Sequence, residues 1–352
     1  MPTQRIYVGA YTRGQAKGVA FYGLEATNGI LHLLSEVETD NPSYLALHPN
    51  GKYLYAANES NIFRDPAEDG ISAFAIEEDG SLTARNQQRS QGSCPCYVCI
   101  EPGGEYALLA NYMGGNFVVY PLGEDGALGE ASDNQTHTGS GPNKERQEAP
   151  HAHSINVAPG GRFALGCDLG LDKVFVYRID TANGKLRPHG EASVAGGSGP
   201  RHLDFHPNGK WVYLINEMGG TMTAFRWDAD AGTLEEIQTI STLPEDYNGL
   251  KWCADVHVHP GGKFVYGSNR AHDSLVIYRI DEDSGKLSVV GHESTRGKTP
   301  RNFAISPAGD LLLAANQDSN NIVVFRIDQE NGTLTHLASN NVPSPVCIKF
   351  AG

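Results

Sequence analysis

The sequence is poor in charge. Asp, Glu, Lys and Arg make up 19% of its 352 residues, below the usual share. Cations are scarcest, with 27 Lys and Arg against 41 Asp and Glu, giving a formal net charge of −14 and a pI near 5.3. That balance argues against non-specific binding to nucleic acid, and no nucleic-acid partner is expected. An anionic small molecule would need a local cationic pocket. No apolar run approaches membrane-spanning length, so no membrane partner is expected either. Residues 1–10, MPTQRIYVGA, lack a signal-peptide core and begin directly in a strand pattern, so the expected location is cytoplasmic. No stretch carries a convincing helical period. The six cysteines supply no framework. Cys94, Cys96 and Cys99 cluster in SCPCYVCI, but without a fourth ligand or the paired knuckles of a zinc site. Cys167, Cys253 and Cys347 are scattered, which excludes a disulfide scaffold. All six read as structural thiols.

What the chain has in abundance is glycine, 41 residues, and much of it is periodic. A Pro-x-Gly turn recurs in HPNGK at 48–52, EPGGE at 101–105, APGGR at 158–162, HPNGK at 206–210, HPGGK at 259–263 and SPAGD at 306–310. Pro presets φ at one turn position and Gly accepts the positive φ that closes it. Nine residues after each Pro stands Asn or Asp: Asn58, Asn111, Asp168, Asn216, Asn269 and Asn316. A second signal, Gly-x-Leu after a polar turn, recurs seven times, beginning at Gly29, Gly80, Gly126, Gly184, Gly232, Gly285 and Gly332. Each follows an aromatic or β-branched run such as KVFVYRID, the pattern of a hairpin between two further strands.

Seven units of about 50 residues with four short strands each predict an all-β fold, a seven-bladed β-propeller of antiparallel blades. Length alone suggests two or three domains, but the repeat predicts one spanning residues 1–352. The Pro-x-Gly turn occurs six times and the hairpin seven, so one inner strand is displaced. PVCIKF at 345–350 resembles PSYLAL at 42–47 and supplies it, pairing with the N-terminal RIYVGAY and closing the ring. Closure removes exposed sheet edges.

Lettering the strands A to D from the axis outward, the Pro-x-Gly turn joins A to B at one face. The B–C and D–A connections lie at the other. Spacings between Pro anchors run 53, 57, 48, 53 and 47, and the excess falls in Asn58–Gly70, Gly129–Pro150 and Ser241–Cys253. All three are assigned to the second face, which becomes the expected functional mouth. The repeat is its own control: residues that recur at equivalent positions are scaffold, and those that break the pattern need another reason. His48, His206 and His259 share one turn position and read as structural. The Asn series reads as strand-B ends held by side-chain-to-backbone hydrogen bonds. At the start of strand A stand Ser43, Cys96, His153, Arg201, Ala254, Arg301 and Val346. Just after the Asn series stand Glu59, Tyr112, Leu169, Glu217, Arg270 and Gln317. Arg201, Glu217, Arg270 and the pair His151 and His153 are thus directed to one channel end, on a polar rim. The bland alternative is a set of surface ion pairs. His151-Ala152-His153 has metal-like spacing, as do His257 and His259 beside Asp255. His259 belongs to the turn, no third ligand is fixed by the spacing, and no metal or other cofactor is expected. AGGSG at 195–199 precedes no helix and reads as a plain loop.

With these residues placed, the chain resembles the seven-bladed lactonase family, which includes bacterial 6-phosphogluconolactonases and fungal carboxy-muconate cyclases. The resemblance runs from residue 5 to the end. It is carried by PHAHS at 150–154, GPRHLDFHPNGKWVYLINE at 199–217, ADVHVHPGGKFVYGSNRAHDSL at 254–275 and TPRNFAISPAGDLLLAANQDSNNIVVFRI at 299–327. It implies a site of His, Arg, Glu and Arg, carried over as His151 or His153, Arg201, Glu217 and Arg270. Topology reaches the same positions from the residues alone. Asp255 departs from the Glu expected in many relatives and shortens the reach toward the mouth. The implied activity is hydrolysis of a sugar lactone, first among them 6-phosphogluconolactone of the pentose phosphate pathway, so the expected partner is a small anionic lactone. Arg201 and Arg270 suit an oxyanion or the substrate's anionic group, while Glu217 and a His at 151 or 153 divide the base and acid roles. A muconate-type cycloisomerase would use the same residues without water. A non-catalytic binding propeller would instead need an apolar mouth.

Overall fold

A computed structural model describes residues 4–12, 14–59 and 69–351. Seven four-stranded antiparallel sheets surround a central channel, and no α-helix occurs among the described residues. We number them as blades one to seven, from the blade that joins the chain ends. That blade pairs strand A, Pro345–Phe350, with strand B, Gln4–Ala10, followed by Gly18–Glu25 and Ile30–Glu38. The split-blade closure expected from the missing turn is therefore present.

The repeated motifs explain how the blades hold one another. In the Pro-x-Gly turn of blade five, His206 Nδ1 accepts from Asn208 N at 3.1 Å. Its Nε2 then donates to Gly262 O of blade six at 2.7 Å. His48 and His259 repeat this bridge, to Gly104 O and Gly309 O. On strand B, the hydroxyls of Tyr7, Tyr55, Tyr213 and Tyr266 donate to the carbonyls of Gly80, Gly126, Gly285 and Gly332 in the next blade. Those glycines open the recurring Gly-x-Leu. Gly285 and Gly332 have φ of +70° and +79°, and a Cβ would stand 2.5 and 2.6 Å from Trp211 and Phe264. Only glycine satisfies both the turn and the close ring. Four of the Asn series, at 58, 111, 269 and 316, donate from Nδ2 to carbonyls of the preceding D–A connection. In blade five, Asn216 turns instead to Thr221 and Thr223 hydroxyls.

One detail differs from expectation. The excess at 129–150 is not all loop, because Asp133–Thr136 forms a short outer strand paired with Asn116–Pro121. The strand anticipated directly after Leu128 is reduced to one bridge, Leu122 with Leu128. The connection that reaches the mouth is the remainder, up to residue 151. Of the stretch Asn58–Gly70, residues 60–68 lie outside the described residues.

The channel wall carries a second regularity that periodicity does not reveal. All seven inner strands lose register with strand B near their start. In blade five, Pro200 pairs with Asn216 and His202 with Ile215, which leaves Arg201 as the extra residue of a β-bulge. A bulge bends the strand and re-aims the side chain it carries. The bulge positions are Ser43, Cys96, His153, Arg201, Arg301 and Val346, with Ala254 and Asp255 sharing one partner in blade six.

Deleting residues 345–352 removes the inner strand of blade one and bares a strand edge. The truncated protein is expected to be insoluble or to lose cooperative unfolding, checked by soluble yield and circular-dichroism melts. A soluble, natively folded truncation contradicts the closure.

Candidate active site

The site grows from the bulge of blade five. Arg201 leaves its strand at the bulge, and Glu217 follows the end of the neighbouring strand B, so the antiparallel pairing brings the two together. Arg201 Nε donates to Glu217 Oε2 at 3.1 Å. Arg270, at the equivalent position after strand B of blade six, approaches the same oxygen through Nη2 at 2.7 Å. The other oxygen, Oε1, accepts from Arg146 Nη2 at 2.7 Å and from Trp252 Nε1 at 3.2 Å. The Trp252 ring also lies under the Arg270 guanidinium, 4.0 Å from centroid to Cζ, a cation–π contact.

These groups are not on an exposed rim, as the sequence suggested. Arg201, Glu217 and Arg270 are 2, 3 and 4% exposed. The long D–A connections fold over them, contributing Arg146 and Trp252. Burial works against the charge of Glu217, but Arg270, Arg201 and Arg146 hold its carboxyl far below the usual carboxylate range. Burial likewise lowers both buried guanidiniums from their ordinary value, with Glu217 pulling the other way, and both remain cations at neutral pH. Three guanidiniums on one carboxylate leave a local excess of positive charge within an acidic protein.

The two histidines have different settings. His151 Nδ1 lies 3.1 Å from Tyr112 O and Nε2 lies 3.2 Å from Glu148 Oε1, so both ring nitrogens are engaged. Its ring stacks on Tyr112 at 4.5 Å. His153, the bulge residue of blade four, has Cys96 Sγ 3.8 Å from Nδ1, and among the described residues its Nε2 has no hydrogen-bond partner. Burial, then Arg201, His202, Arg301 and Arg270, hold its imidazole well below its ordinary value, so the ring is neutral. Arg301 does not stand alone across the mouth. It lies 3.6 Å from Glu59 and over the ring of Tyr11, whose hydroxyl donates to Glu59 at 2.8 Å.

Sequence reasoning missed Arg146, Trp252, Tyr11 and the pairing of Arg301 with Glu59. Arg146 and Trp252 lie in the two D–A stretches flagged for excess length. Irregular connections have no register, so the repeat could not say which of their residues turn inward. His257 and Asp255 do meet, at 3.0 Å, but within the channel, while His259 is the inter-blade bridge. The AGGSG loop is tied down by Asp172, which accepts from Gly197 N and Gly199 N.

Removing the carboxylate leaves buried cations unpaired. Glu217→Gln is therefore expected to destabilise the fold by about 3 kcal/mol or more. This should lower the melting temperature at neutral pH by about 5 °C. A carboxyl lowered in the folded state stabilises above the ordinary carboxylate pKa, and that stabilisation is lost as pH falls through the folded value. The gap between wild type and variant should narrow in acid, and a gap that stays constant with pH counts against the ion cluster.

Comparison with known proteins agrees with this architecture over the whole chain. A family model described as lactonase, 7-bladed beta-propeller, matches residues 5–350. A 6-phosphogluconolactonase of Bacillus subtilis is 36% identical over 350 residues, covering 98% of this chain and 97% of its own. Another 6-phosphogluconolactonase, from Formosa agariphila, is 37% identical over 309 residues, covering 85% and 86%. The solved structure of the Pseudomonas aeruginosa periplasmic gluconolactonase PpgL superposes with a TM-score of 0.94 at 31% identity, covering 100% and 99%. The chain belongs to the seven-bladed β-propeller lactonase family.

Proposed function

We propose that this protein hydrolyses a sugar lactone, 6-phosphogluconolactone first among candidates, to the open-chain acid. The observation that carries the reading is the cationic cluster on Glu217, a buried positive excess at the mouth of an otherwise acidic protein. Family membership and the relatives called 6-phosphogluconolactonase support it.

Water attacking the lactone carbonyl generates an oxyanion, and fixed donors where that charge develops lower the barrier. Arg201 supplies one. Its Nε is held by Glu217 and its Nη1 by Ala254 O at 2.6 Å. Among the described residues, its Nη2 has no hydrogen-bond partner and remains for the substrate. Glu217 is a poor proton acceptor, because both oxygens are already saturated by donors. Its part is to hold the arginines. The water proton goes to His153, neutral and with one ring nitrogen available, and returns to the alkoxide that leaves as the ring opens. His151, engaged at both nitrogens, holds Tyr112 and the loop that carries Glu148. Arg146 is the accessible cation of the cluster, 40% exposed, and meets the substrate's anionic end.

Purified protein should accelerate opening of 6-phosphogluconolactone well beyond its spontaneous hydrolysis, and in heavy-oxygen water the acid should carry one solvent oxygen. Product without solvent oxygen points to a cycloisomerase, and no turnover of phosphorylated, unphosphorylated or muconate-type lactones removes the enzymatic reading. Arg201→Ala and His153→Ala should each lower kcat/KM about a hundredfold or more, the scale of a lost oxyanion donor or proton carrier. Arg146→Gln should raise KM for the phosphorylated lactone by about tenfold and leave an unphosphorylated one nearly unchanged. Equal effects on both substrates would take Arg146 out of that role.

A further inference from the structure

Directly below the mouth, the channel carries a buried His–Asp pair that the reaction outlined above leaves unused. His202 follows the bulge residue Arg201, and Asp255 occupies the corresponding place in blade six. They are 4 and 1% exposed. The equivalent residues elsewhere are Tyr44, Tyr97, Ser154, Asn302 and Cys347, so neither an imidazole nor a carboxylate is required by the repeat. Burying such a pair is costly unless every polar atom is satisfied.

They are satisfied, and in one direction. His202 Nδ1 lies 2.7 Å from Asp255 Oδ1. An ionised carboxylate only accepts, so Nδ1 carries the proton and a neutral ring then offers Nε2 as an acceptor. Arg201 Nη1 donates to that Nε2 at 3.2 Å. Asp255 is fixed in turn by Val256 N at 3.1 Å on one oxygen. On the other it is held by Asn302 Nδ2 at 2.5 Å, His257 Nε2 at 3.0 Å and Phe303 N at 3.4 Å. Tyr97, Tyr44 and His153 stand edge-on around the His202 ring, with centroids 5.1, 5.7 and 5.2 Å away. The guanidinium of Arg201 is thus clamped at Nε by Glu217 and at Nη1 by Ala254 O and His202. The opposite tautomer would turn an N–H against a cation.

We propose that Asp255 and His202 are positioning residues for Arg201: Asp255 selects the tautomer of His202, and His202 sets the plane of the guanidinium so that Nη2 faces the substrate. Burial and Arg201 push the His202 ring down to about 3, against the pull of Asp255, so it stays neutral over the working pH range. The Asp that departs from the Glu expected in relatives thus acts through a neighbour and does not itself reach the mouth.

The kinetic part of the test rests on the lactonase reading. His202→Asn keeps a donor for Asp255 but loses the acceptor for Arg201. His202→Gln keeps an acceptor near the Nε2 position. His202→Asn and Asp255→Asn should each lower kcat/KM about tenfold, mostly in kcat, and His202→Gln should stay within about threefold of wild type. In an Arg201→Ala background, His202→Asn should cost less than about twofold more, because the residue through which it acts is gone. Full multiplication of the two losses, or equal losses in the Asn and Gln variants, overturns the proposal. The arm that needs no substrate is NMR of protein labelled with ¹⁵N-arginine. The Nη groups of Arg201 should rotate slowly in wild type and His202→Gln and quickly in His202→Asn. Unchanged rotation overturns the proposal whatever the lactone assays show. Inactive wild type with the expected NMR change would remove the lactonase reading alone. Should His202→Asn fail to fold, Asp255→Asn carries both readouts.

Discussion

A carboxylate with almost no contact with water holds this mouth together. Glu217 receives four donors, two of them from guanidiniums that are themselves buried. Neither arginine could stay at that depth without it, since an unpaired buried charge costs several kcal/mol. The carboxylate in turn stays ionised only because the arginines surround it. This mutual dependence fixes the guanidinium planes before any substrate arrives. Preorganised donors need not reorient as charge develops, which is why such a cluster serves oxyanion chemistry better than mobile surface lysines would.

The fold was legible because the scaffold is redundant. Six Pro-x-Gly turns and seven Gly-x-Leu hairpins repeat one set of local constraints, and the mismatch between the counts pointed to the split blade. The positions of Arg201, Glu217 and Arg270 were legible for the converse reason, as departures from the repeat at mouth-facing places. Depth was not legible. Strand position says which end of the channel a residue occupies, but burial depends on what the long connections do above it. Arg146 and Trp252 come from those connections, and they turn a presumed polar rim into a covered cluster. The short outer strand at Asp133–Thr136 was missed because it lies in a stretch whose length suggested loop.

The bulges were invisible for a different reason. A β-bulge adds one residue without altering the apolar alternation enough to be counted, yet it decides where that residue points. Here it separates two jobs along one strand. Residues beyond the bulge pack and pair in register with strand B, while the bulge residue is released from the ladder. Arg201 in blade five and His153 in blade four use this freedom, whereas Val346 in blade one does not. Chemistry at the mouth can therefore differ from blade to blade over an unchanged ladder.

The seam of the ring has its own consequence. Ala351 N donates to Arg5 O at 2.9 Å, so the two ends of the described chain meet where the other six blades carry a Pro-x-Gly turn. The seam is in effect a seventh turn left open, and it lies on the face away from the mouth. Anything fused or anchored at either end hangs from the back of the ring, leaving the approach to Glu217 clear. By the same geometry, a short turn inserted between the ends would make the ring covalently endless, and a new opening could be cut at any tight turn without touching the long connections.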